Sequence, residues 1–349
     1  MFSINGRNIG PGEKPYIIAE ISANHGGSII KAKAAIQHAK IAGADAVKIQ
    51  TYTPDTMTLD CKNPDFFIDD GLWKGKSLYQ LYAEAQTPFE WHSELFSFAK
   101  EVGITLFSTP FDETAVDLLE ELKTPAYKVA SFELTDLPLL KYVAKCQKPI
   151  LLSTGMGSLD EIHEAVNIIK STGNEQILIF HCVSSYPAPI DSCNLRSIKK
   201  LADEFGLPIG LSDHTLQNIA AVSSISLGSV AIEKHFKIDE DDVGPDSSFS
   251  IMPEQLKALV IDCEQAWRAL GTAEFKRTDV ENANKKFRRS LYFSKDIKKG
   301  EIIKRQDVVI IRPGYGIAPK FKEVVVGKEL LRSVKCGDRV QWDCFNLNE

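Results

Sequence analysis

The sequence lacks the cysteine patterns of a disulfide framework or a zinc cluster. Its seven cysteines are an odd number without any CxxC spacing, and several lie inside apolar runs, which favours reduced thiols. No run of about 18 apolar residues occurs, and the first residues show no basic stretch followed by an apolar one. We therefore expect neither a membrane span nor a secretory signal, and these absences predict a cytosolic protein.

Excess positive charge and nucleotide-binding glycine motifs are absent as well. Forty-one Lys and Arg residues against 47 Asp and Glu residues give a net charge of −6, so no overall positive field attracts nucleic acid or an anionic membrane. Neither GxGxxG nor GxxxxGK[ST] occurs, which argues against a doubly wound nucleotide-binding sheet. With 44% hydrophobic and 25% charged residues, the composition excludes disordered and fibrous proteins.

What is present is a series of eight short apolar runs, nearly all followed by a segment with helical periodicity. Runs that are apolar on both faces are typical of parallel strands covered by helices. A chain of 349 residues has room for a barrel of about 250 residues and a small second domain. The sequence therefore predicts an α/β protein with a (β/α)8 TIM barrel. The eight predicted strands are 16–22, 46–52, 104–110, 126–131, 149–155, 177–183, 208–214 and 230–236.

The pattern changes after a last barrel helix near residue 270. We assign residues 1–270 to the barrel, 271–289 to a polar linker, and 290–349 to a small β-rich domain in which DIKKGEII (296–303) is echoed by SVKCGDRV (333–340). A domain of that size has a marginal core and gains stability by packing against something larger.

Residues 53–103 are too many for one loop and one helix, which predicts an elaborated insertion at the C-terminal face of the barrel. Its aromatic residues, among them Phe66, Trp73 and Phe89, either line a pocket or form the apolar faces of ordinary helices.

Polar and charged residues stand at the ends of all eight runs, where barrel enzymes have their active sites. Burying Lys or Glu there without partners would cost several kcal/mol, so a polar mouth is the better explanation. Lys48 and Lys128 suit a phosphate or carboxylate site, and a Schiff-base lysine is the competing interpretation. His214 and His235 end adjacent runs and are either ligands of one divalent cation or hydrogen-bonded core histidines, with His181 as a third candidate.

Nine motifs occur in one order from residue 19 to residue 251: AEISANHGG, VKIQTYTPD, FSTPFD, AYKVASFE, ILLSTGM, HCVSSYP, GLSDHT, EKHF and GPDSSFSI. Together with KDIKKGEII and IRPGYGIAP in the tail, they resemble the sialic acid synthase family, whose barrel is followed by an antifreeze-like (SAF) domain. The segments QTYTPDTMT, GLW, LYQLY and TPFEWH resemble the branch of that family that makes pseudaminic acid. In addition, ASFE at 130–133 stands where typical sialate synthases have GSGE.

The resemblance implies a cytoplasmic transferase. It would condense phosphoenolpyruvate with 2,4-diacetamido-2,4,6-trideoxy-L-altrose and water to give pseudaminic acid and phosphate. The alternatives inside the family are synthesis of sialic (N-acetylneuraminic) acid or legionaminic acid. Outside it, they are a Schiff-base aldolase and, for the tail alone, a surface-binding module.

The resemblance also implies a role for each site residue, and a divalent cation, Mn2+ or Mg2+, as cofactor. The metal ligands are His214 and His235, and His181 is not a ligand. The residues that hold phosphoenolpyruvate are Lys48, Thr109, Lys128, Ser131, Ser153 and Ser212. The residues that contact the sugar are Gln50, Tyr186, Asp246 and Arg312. The catalytic candidates are Glu20, Glu133 and Lys128, and either carboxylate could move the proton. We further expect a domain-swapped homodimer in which Arg312 reaches the partner barrel.

Overall fold

The computed structural model of the protein describes residues 2–242 and 244–346. The chain divides into two compact units, Met1–Gly271 and Thr272–Glu349. Within the described ranges, no helix combines the length and apolar character needed to cross a bilayer.

The first unit contains a closed barrel of eight parallel strands, which confirms the predicted TIM barrel. All eight strands begin and end within two residues of the predicted bounds. A short hairpin of β1 (Phe2–Ile4) and β2 (Arg7–Ile9) precedes them. The barrel strands are β3 (Tyr16–Glu20), β4 (Ala46–Thr51), β5 (Thr105–Pro110), β6 (Tyr127–Val129), β7 (Ile150–Ser153), β8 (Ile177–Cys182), β9 (Ile209–Asp213) and β10 (Ala231–His235). Strand β10 pairs with β3 and closes the cylinder.

Helices follow the strands and pack on their outer faces. They are α1 (Ile29–Ala42), α2 (Pro54–Met57), α3 (Leu78–Ala85), α4 (Phe89–Val102), α5 (Glu113–Glu121), α6 (Leu137–Lys145), α7 (Leu159–Lys170), α8 (Ser197–Phe205), α9 (Ile219–Ser226) and α10 (Pro253–Leu270). Side-chain caps explain where several begin: Ser28, Asp112 and Ser158 accept backbone N–H bonds in the first turn. Helices α2, α3 and α4 and a 3-10 helix (Pro64–Phe66) lie between β4 and β5, so the predicted insertion is confirmed.

The side chains that point into the barrel differ between its N-terminal and C-terminal halves. Leu151 and Phe180 belong to a buried cluster inside the barrel that also includes Phe2 and Ile4 of the hairpin, so apolar side chains fill the N-terminal half. Gly210 is required beside them, because a Cβ there would lie 2.5 Å from the Phe180 ring. Since this half is apolar and closed by the hairpin, the polar interior positions are left at the C-terminal half.

The second unit has its own core, which includes Leu291, Phe293 and Val340. Its regular elements are α11 (Asp279–Asn282), β11 (Ser290–Phe293), β12 (Val308–Ile311) and α12 (Lys322–Val325), with β11 antiparallel to β12.

The two copies of the internal repeat form the same turn. The Lys298 N–H donates to the Glu301 carboxylate at 2.9 Å, and the Lys335 N–H donates to the Asp338 carboxylate at 2.8 Å. Each turn contains a glycine of positive φ, 87° at Gly300 and 89° at Gly337, and the copies face each other through an antiparallel bridge. The repeat is therefore a pair of matching turns within one small domain.

Candidate active site

A buried layer of charged side chains occupies the C-terminal half of the barrel interior. Strand register creates it: Glu20 on β3 stands directly opposite Lys48 on β4, and Glu233 on β10 stands opposite Ser212 on β9. Lys128 on β6 reaches the same place, with its Nζ 5.5 Å from the Phe180 ring below. All five side chains are buried, so they interact with each other rather than with bulk water.

Glu233 is at the centre of this layer. Its Oε1 accepts from the Lys128 Nζ at 3.2 Å and from the Ser212 Oγ at 3.1 Å, while its Oε2 lies 3.2 Å from the Lys48 Nζ. The Lys48 Nζ also lies 3.2 Å from Glu20 Oε2. Sequence reasoning gave Glu233 no role, although its position two residues before His235 on one strand places both on the same face.

The acids at this end of the barrel are of two kinds, those whose pKa is raised and one whose pKa is lowered. Burial is the largest influence on Glu20 and raises its pKa to about 7 against the opposing effect of Lys48. Glu133 ends the 3-10 helix Ser131–Glu133, which follows β6 and Lys128, and burial likewise raises its pKa to about 7. Burial alone would also raise the pKa of Glu233, but Lys128 and Lys48 together hold it below its ordinary value. Glu233 is therefore a fixed anion at neutral pH, whereas Glu20 and Glu133 can exchange a proton.

Several buried hydroxyl groups face the same end of the barrel. Among the described residues, Thr109 Oγ1 and Ser153 Oγ have no hydrogen-bond partner. Ser131 Oγ accepts the Gly155 N–H at 3.0 Å and also hydrogen-bonds to the Cys182 side chain. Gly155 allows this approach, since a Cβ there would lie 2.8 Å from Ser131 Oγ. Buried polar groups in native proteins are nearly always paired, so unpaired hydroxyls beside two lysines fit an anionic ligand.

The two predicted metal ligands lie together at the mouth. The rings of His214 and His235 are 5.5 Å apart, and the His214 Nδ1 donates to the Val183 carbonyl at 2.9 Å, so its Nε2 is the atom left for a ligand. Burial lowers the pKa of His214, but its contacts with Cys182 and the Val183 carbonyl raise that pKa above its ordinary value overall, so a bound metal ion would have to displace a proton. The Nδ1 of His235 is buried without a hydrogen-bond partner among the described residues. Burial also lowers the pKa of His235 well below its ordinary value, so the ring is neutral, as a metal ligand must be.

This donor set fits a divalent cation only in part. Within residues 2–242 and 244–346, no group of three or more His, Cys, Asp and Glu side chains is arranged to hold a metal ion. Two imidazoles, each in its unprotonated form, suit a transition-metal ion whose other ligands come from water or substrate oxygens. Asp246 is the nearest acid, with its Oδ2 3.9 Å from the His235 Nδ1.

Some polar residues at the strand ends do not join the layer. His181 lies on the opposite face of β8 from Cys182, and its Nε2 donates to the Cys193 carbonyl at 2.7 Å. The neighbours Asp213 and Lys234 also point outward and form a buried ion pair of 2.7 Å. The Lys234 Nζ donates further bonds to two backbone carbonyls of the turn after His214.

The predicted sugar-contact residues are divided between the two units. Gln50 donates to Glu20 Oε1 at 3.4 Å, and the Tyr186 ring lies 4.4 Å from the His214 ring. Tyr186 and Asp246 thus lie beside the histidine pair, whereas Gln50 contacts the charged layer at Glu20. Arg312 belongs to the second unit and is exposed.

Comparison with known proteins identifies the family of this chain. Residues 35–275 match the NeuB family, and residues 288–346 match the SAF domain. The chain belongs to the NeuB family. The resemblance in the sequence motifs, both to the synthase family and to its SAF domain, is thereby confirmed.

Relatives of this NeuB-family chain align over almost its whole length. The pseudaminic acid synthase of Campylobacter jejuni is 42% identical over 338 residues, which are 97% of this chain and 98% of the relative. The pseudaminic acid synthase of Helicobacter pylori is 40% identical over 95% of this chain and 98% of the relative. The N,N'-diacetyllegionaminic acid synthase of Legionella pneumophila is 35% identical over 94% of each.

Solved structures agree with the fold of this NeuB-family chain. The spore coat polysaccharide biosynthesis protein SpsE of Bacillus subtilis superposes with a TM-score of 0.68 at 33% identity, covering 100% of this chain and 99% of that one. The N-acetylneuraminic acid synthetase of Leptospira borgpetersenii has a TM-score of 0.73 at 29% identity, covering 81% and 94%.

Proposed function

We propose that this NeuB-family chain is a pseudaminic acid synthase. It condenses phosphoenolpyruvate with 2,4-diacetamido-2,4,6-trideoxy-L-altrose and water and releases phosphate. The observation that carries the proposal is the buried layer in which Lys48 and Lys128 lie beside unpaired hydroxyls, two histidines and two carboxyls of pKa about 7. The 40% and 42% identities to two pseudaminic acid synthases, against 35% to a legionaminic acid synthase, support this choice of sugar.

The lysines and hydroxyls hold phosphoenolpyruvate. Its phosphate and carboxylate are anions, and a buried pair of cations with several hydroxyl donors satisfies their charge and their hydrogen-bonding capacity together. The binding residues are Lys48, Thr109, Lys128, Ser131, Ser153 and Ser212. Glu233 keeps the two ammonium groups in place from the opposite side.

His214 and His235 would hold a divalent cation, Mn2+ or Mg2+, which when bound supplies Lewis-acid polarisation of the sugar aldehyde. Tyr186 and Asp246 lie beside this position and Gln50 lies beside Glu20, and the three side chains orient the sugar hydroxyls. The aldehyde carbon is thereby brought next to the enol carbon of phosphoenolpyruvate.

The bond changes need one carboxyl group that can both give and take a proton. C3 of phosphoenolpyruvate attacks the aldehyde C1, and the aldehyde oxygen becomes an alkoxide that takes a proton from Glu20 or Glu133. Water adds to the cationic C2 and returns a proton to the carboxylate. The bond between C2 and the phosphate oxygen then breaks, the leaving phosphate takes the proton of the new C2 hydroxyl, and the C2 ketone forms. A pKa of about 7 suits both transfers, because each form of the carboxyl is then populated at neutral pH.

The decisive test incubates the protein with phosphoenolpyruvate, Mn2+ and each candidate sugar, and identifies the nine-carbon product by mass. We expect kcat/KM for the trideoxy diacetamido sugar to exceed that for N-acetylmannosamine by at least about 10-fold, or about 1.4 kcal/mol of transition-state binding. Equal or reversed preference would assign the chain to sialic acid synthesis. Trapping of a pyruvate adduct by borohydride on Lys48 or Lys128 would instead support a Schiff-base aldolase.

We also propose that the protein works in the cytoplasm, where phosphoenolpyruvate is made, and as a domain-swapped homodimer with shared sites. The support is the family resemblance of IRPGYGIAP, the exposed position of Arg312, and the small size of the second unit. Arg312→Ala and His214→Ala chains, each inactive alone, should regain activity when co-expressed, since a mixed dimer contains one intact site. Mixed dimers without activity would contradict the shared site.

A further inference from the structure

Trp73 connects the insertion of residues 53–103 to the loop that carries Asp246. The indole is half-buried, and its Nε1–H donates to the Pro245 carbonyl at 3.2 Å. Pro245 directly precedes Asp246, the acid nearest to His235. The insertion therefore contributes a side chain to the rim of the layer rather than lying apart from it.

On its inner side, Trp73 continues an aromatic wall that begins at the histidine pair. The Tyr186 ring lies 4.4 Å from the His214 ring, and the Trp73 ring lies 6.5 Å from the Tyr186 ring. Phe249 completes the wall, 5.1 Å from Tyr186 and 4.9 Å from the His235 ring. Trp73 is thus one ring further from the histidines than Tyr186 is.

The length of the sugar makes this spacing relevant. An open chain of six carbons, with bonds of about 1.5 Å, extends about 6 Å from its first carbon to its last. With C1 of the sugar at the histidine pair, a chain of this length that extends along the aromatic wall brings its far end beside Tyr186 and Trp73. This end is the one that differs between sugars ending in a methyl group and sugars ending in a hydroxyl.

The indole offers a terminal hydroxyl no partner. Its one polar group is already donated to Pro245, so the face turned to Tyr186 is wholly apolar. A cavity of about 430 Å3, the outer cavity, is lined by Trp73 together with Leu72, Pro245, Lys76 and Lys237, and neither Tyr186 nor the histidine pair lines it. The indole therefore separates an apolar face of the mouth from a wet, polar space.

We propose that Trp73 determines the specificity of this site for a sugar that ends in a methyl group. The inference rests on the proposed function and extends it. The apolar face receives the methyl group at C6, and a hydroxyl at C6 loses hydrogen bonds to water there that the indole does not replace. Because a hydrophobic wall rejects an added hydroxyl only modestly, the expected discrimination is about 10- to 100-fold in kcat/KM.

The test compares two sugars, 2,4-diacetamido-2,4,6-trideoxy-L-altrose and its counterpart with a hydroxyl at C6, in the full-length protein with Mn2+. We expect Trp73→Phe to keep most of the wild-type preference, because the wall stays apolar. In Trp73→Gln an amide partners the hydroxyl, and in Trp73→Ala water enters from the outer cavity. Both should reduce the preference to about 3-fold or less.

Leu72→Ala is the matched control, since Leu72 lines the same cavity and is exposed, and it should leave the preference unchanged. The KM for phosphoenolpyruvate and the Tm of each variant separate a change of selectivity from general damage. A preference that persists in both Trp73→Gln and Trp73→Ala overturns the role of Trp73. A wild type that does not turn over the methyl-ended sugar overturns the proposed function itself, and the inference falls with it.

Discussion

Replacing Glu233 by Gln tests whether this carboxylate holds the two active-site lysines. The substitution keeps the size of the side chain and removes one buried negative charge. Lys128 and Lys48 lie 3.2 Å from the two carboxylate oxygens, and all three side chains are 5% exposed or less. In the variant the remaining carboxylate beside Lys48 is Glu20, whose pKa of about 7 leaves it only partly ionised. Two buried cations then share less than one negative charge.

The expected cost follows from the burial of the group. Removing one partner of a buried ion pair destabilises a protein by about 3–5 kcal/mol, because the other charge stays desolvated and uncompensated. At roughly 2–4 °C per kcal/mol for a domain of this size, the Tm of the Glu233→Gln variant should fall by roughly 6–20 °C. An exposed ion pair would cost no more than about 1 kcal/mol.

Inorganic phosphate supplies the discriminating measurement. A phosphate ion between Lys48 and Lys128 replaces the missing negative charge, so thermal shift assays should show a larger phosphate-induced rise in Tm for Glu233→Gln than for the wild type. Asp213→Asn is the matched control: it removes a carboxylate from the buried pair with Lys234, which lies on the outer face of the barrel. This control should lose stability similarly without any additional response to phosphate. A wild-type Tm for Glu233→Gln, or equal phosphate shifts in all three proteins, would refute the reasoning.

Two further predictions concern the carboxyls and the histidines. Because burial raises the pKa of Glu20 and Glu133 to about 7, the folded protein binds more protons than the unfolded chain between about pH 4.5 and pH 7, and the free energy of unfolding falls as pH rises through that window. In urea denaturation, the free energy of unfolding should differ less between pH 5 and pH 8 for Glu133→Gln than for the wild type. An equal difference in the two proteins would contradict the pKa shift of Glu133. His214→Ala and His235→Ala should each lose activity and Mn2+ affinity, measured by electron paramagnetic resonance of free Mn2+, with the far-ultraviolet circular dichroism unchanged. Wild-type Mn2+ affinity in either variant would exclude that histidine as a ligand.

The fold could be predicted from the sequence because its signals are local. Each of the eight apolar runs contains the positions that face the helices and the positions that face the interior, so a run is visible without knowledge of its neighbours. The runs exceed the strands by one or two residues at many ends, as at 149–155 against Ile150–Ser153. The polar residues beyond the last paired position of each strand no longer hydrogen-bond to a neighbouring strand, and they form the mouth of the barrel.

The arrangement within the site could be predicted only in part, because it depends on register. Glu233 and Lys234 are adjacent in sequence and equally polar, yet one points into the barrel at Ser212 and the other points outward at Asp213. Alternation along β10 separates the two and places Glu233 on the face of His235, but which face points inward depends on the pairing of β10 with β9, which joins residues about twenty positions apart. Trp73 is a similar case, because its contact with Pro245 links segments 172 positions apart in the chain.

The polar layer connects the stability of the barrel to its chemistry. The burial that makes unpaired Lys48 and Lys128 costly is the same burial that raises the pKa of Glu20 to about 7. A more hydrated mouth would lower the free-energy cost of burying the two lysines. It would also return Glu20 to its ordinary pKa and weaken every contact to a bound anion. Because Glu233 stays ionised between the lysines, the barrel keeps the layer buried and nearly neutral before any substrate enters. Its fixed charge therefore allows Glu20 to remain a carboxyl that can exchange a proton.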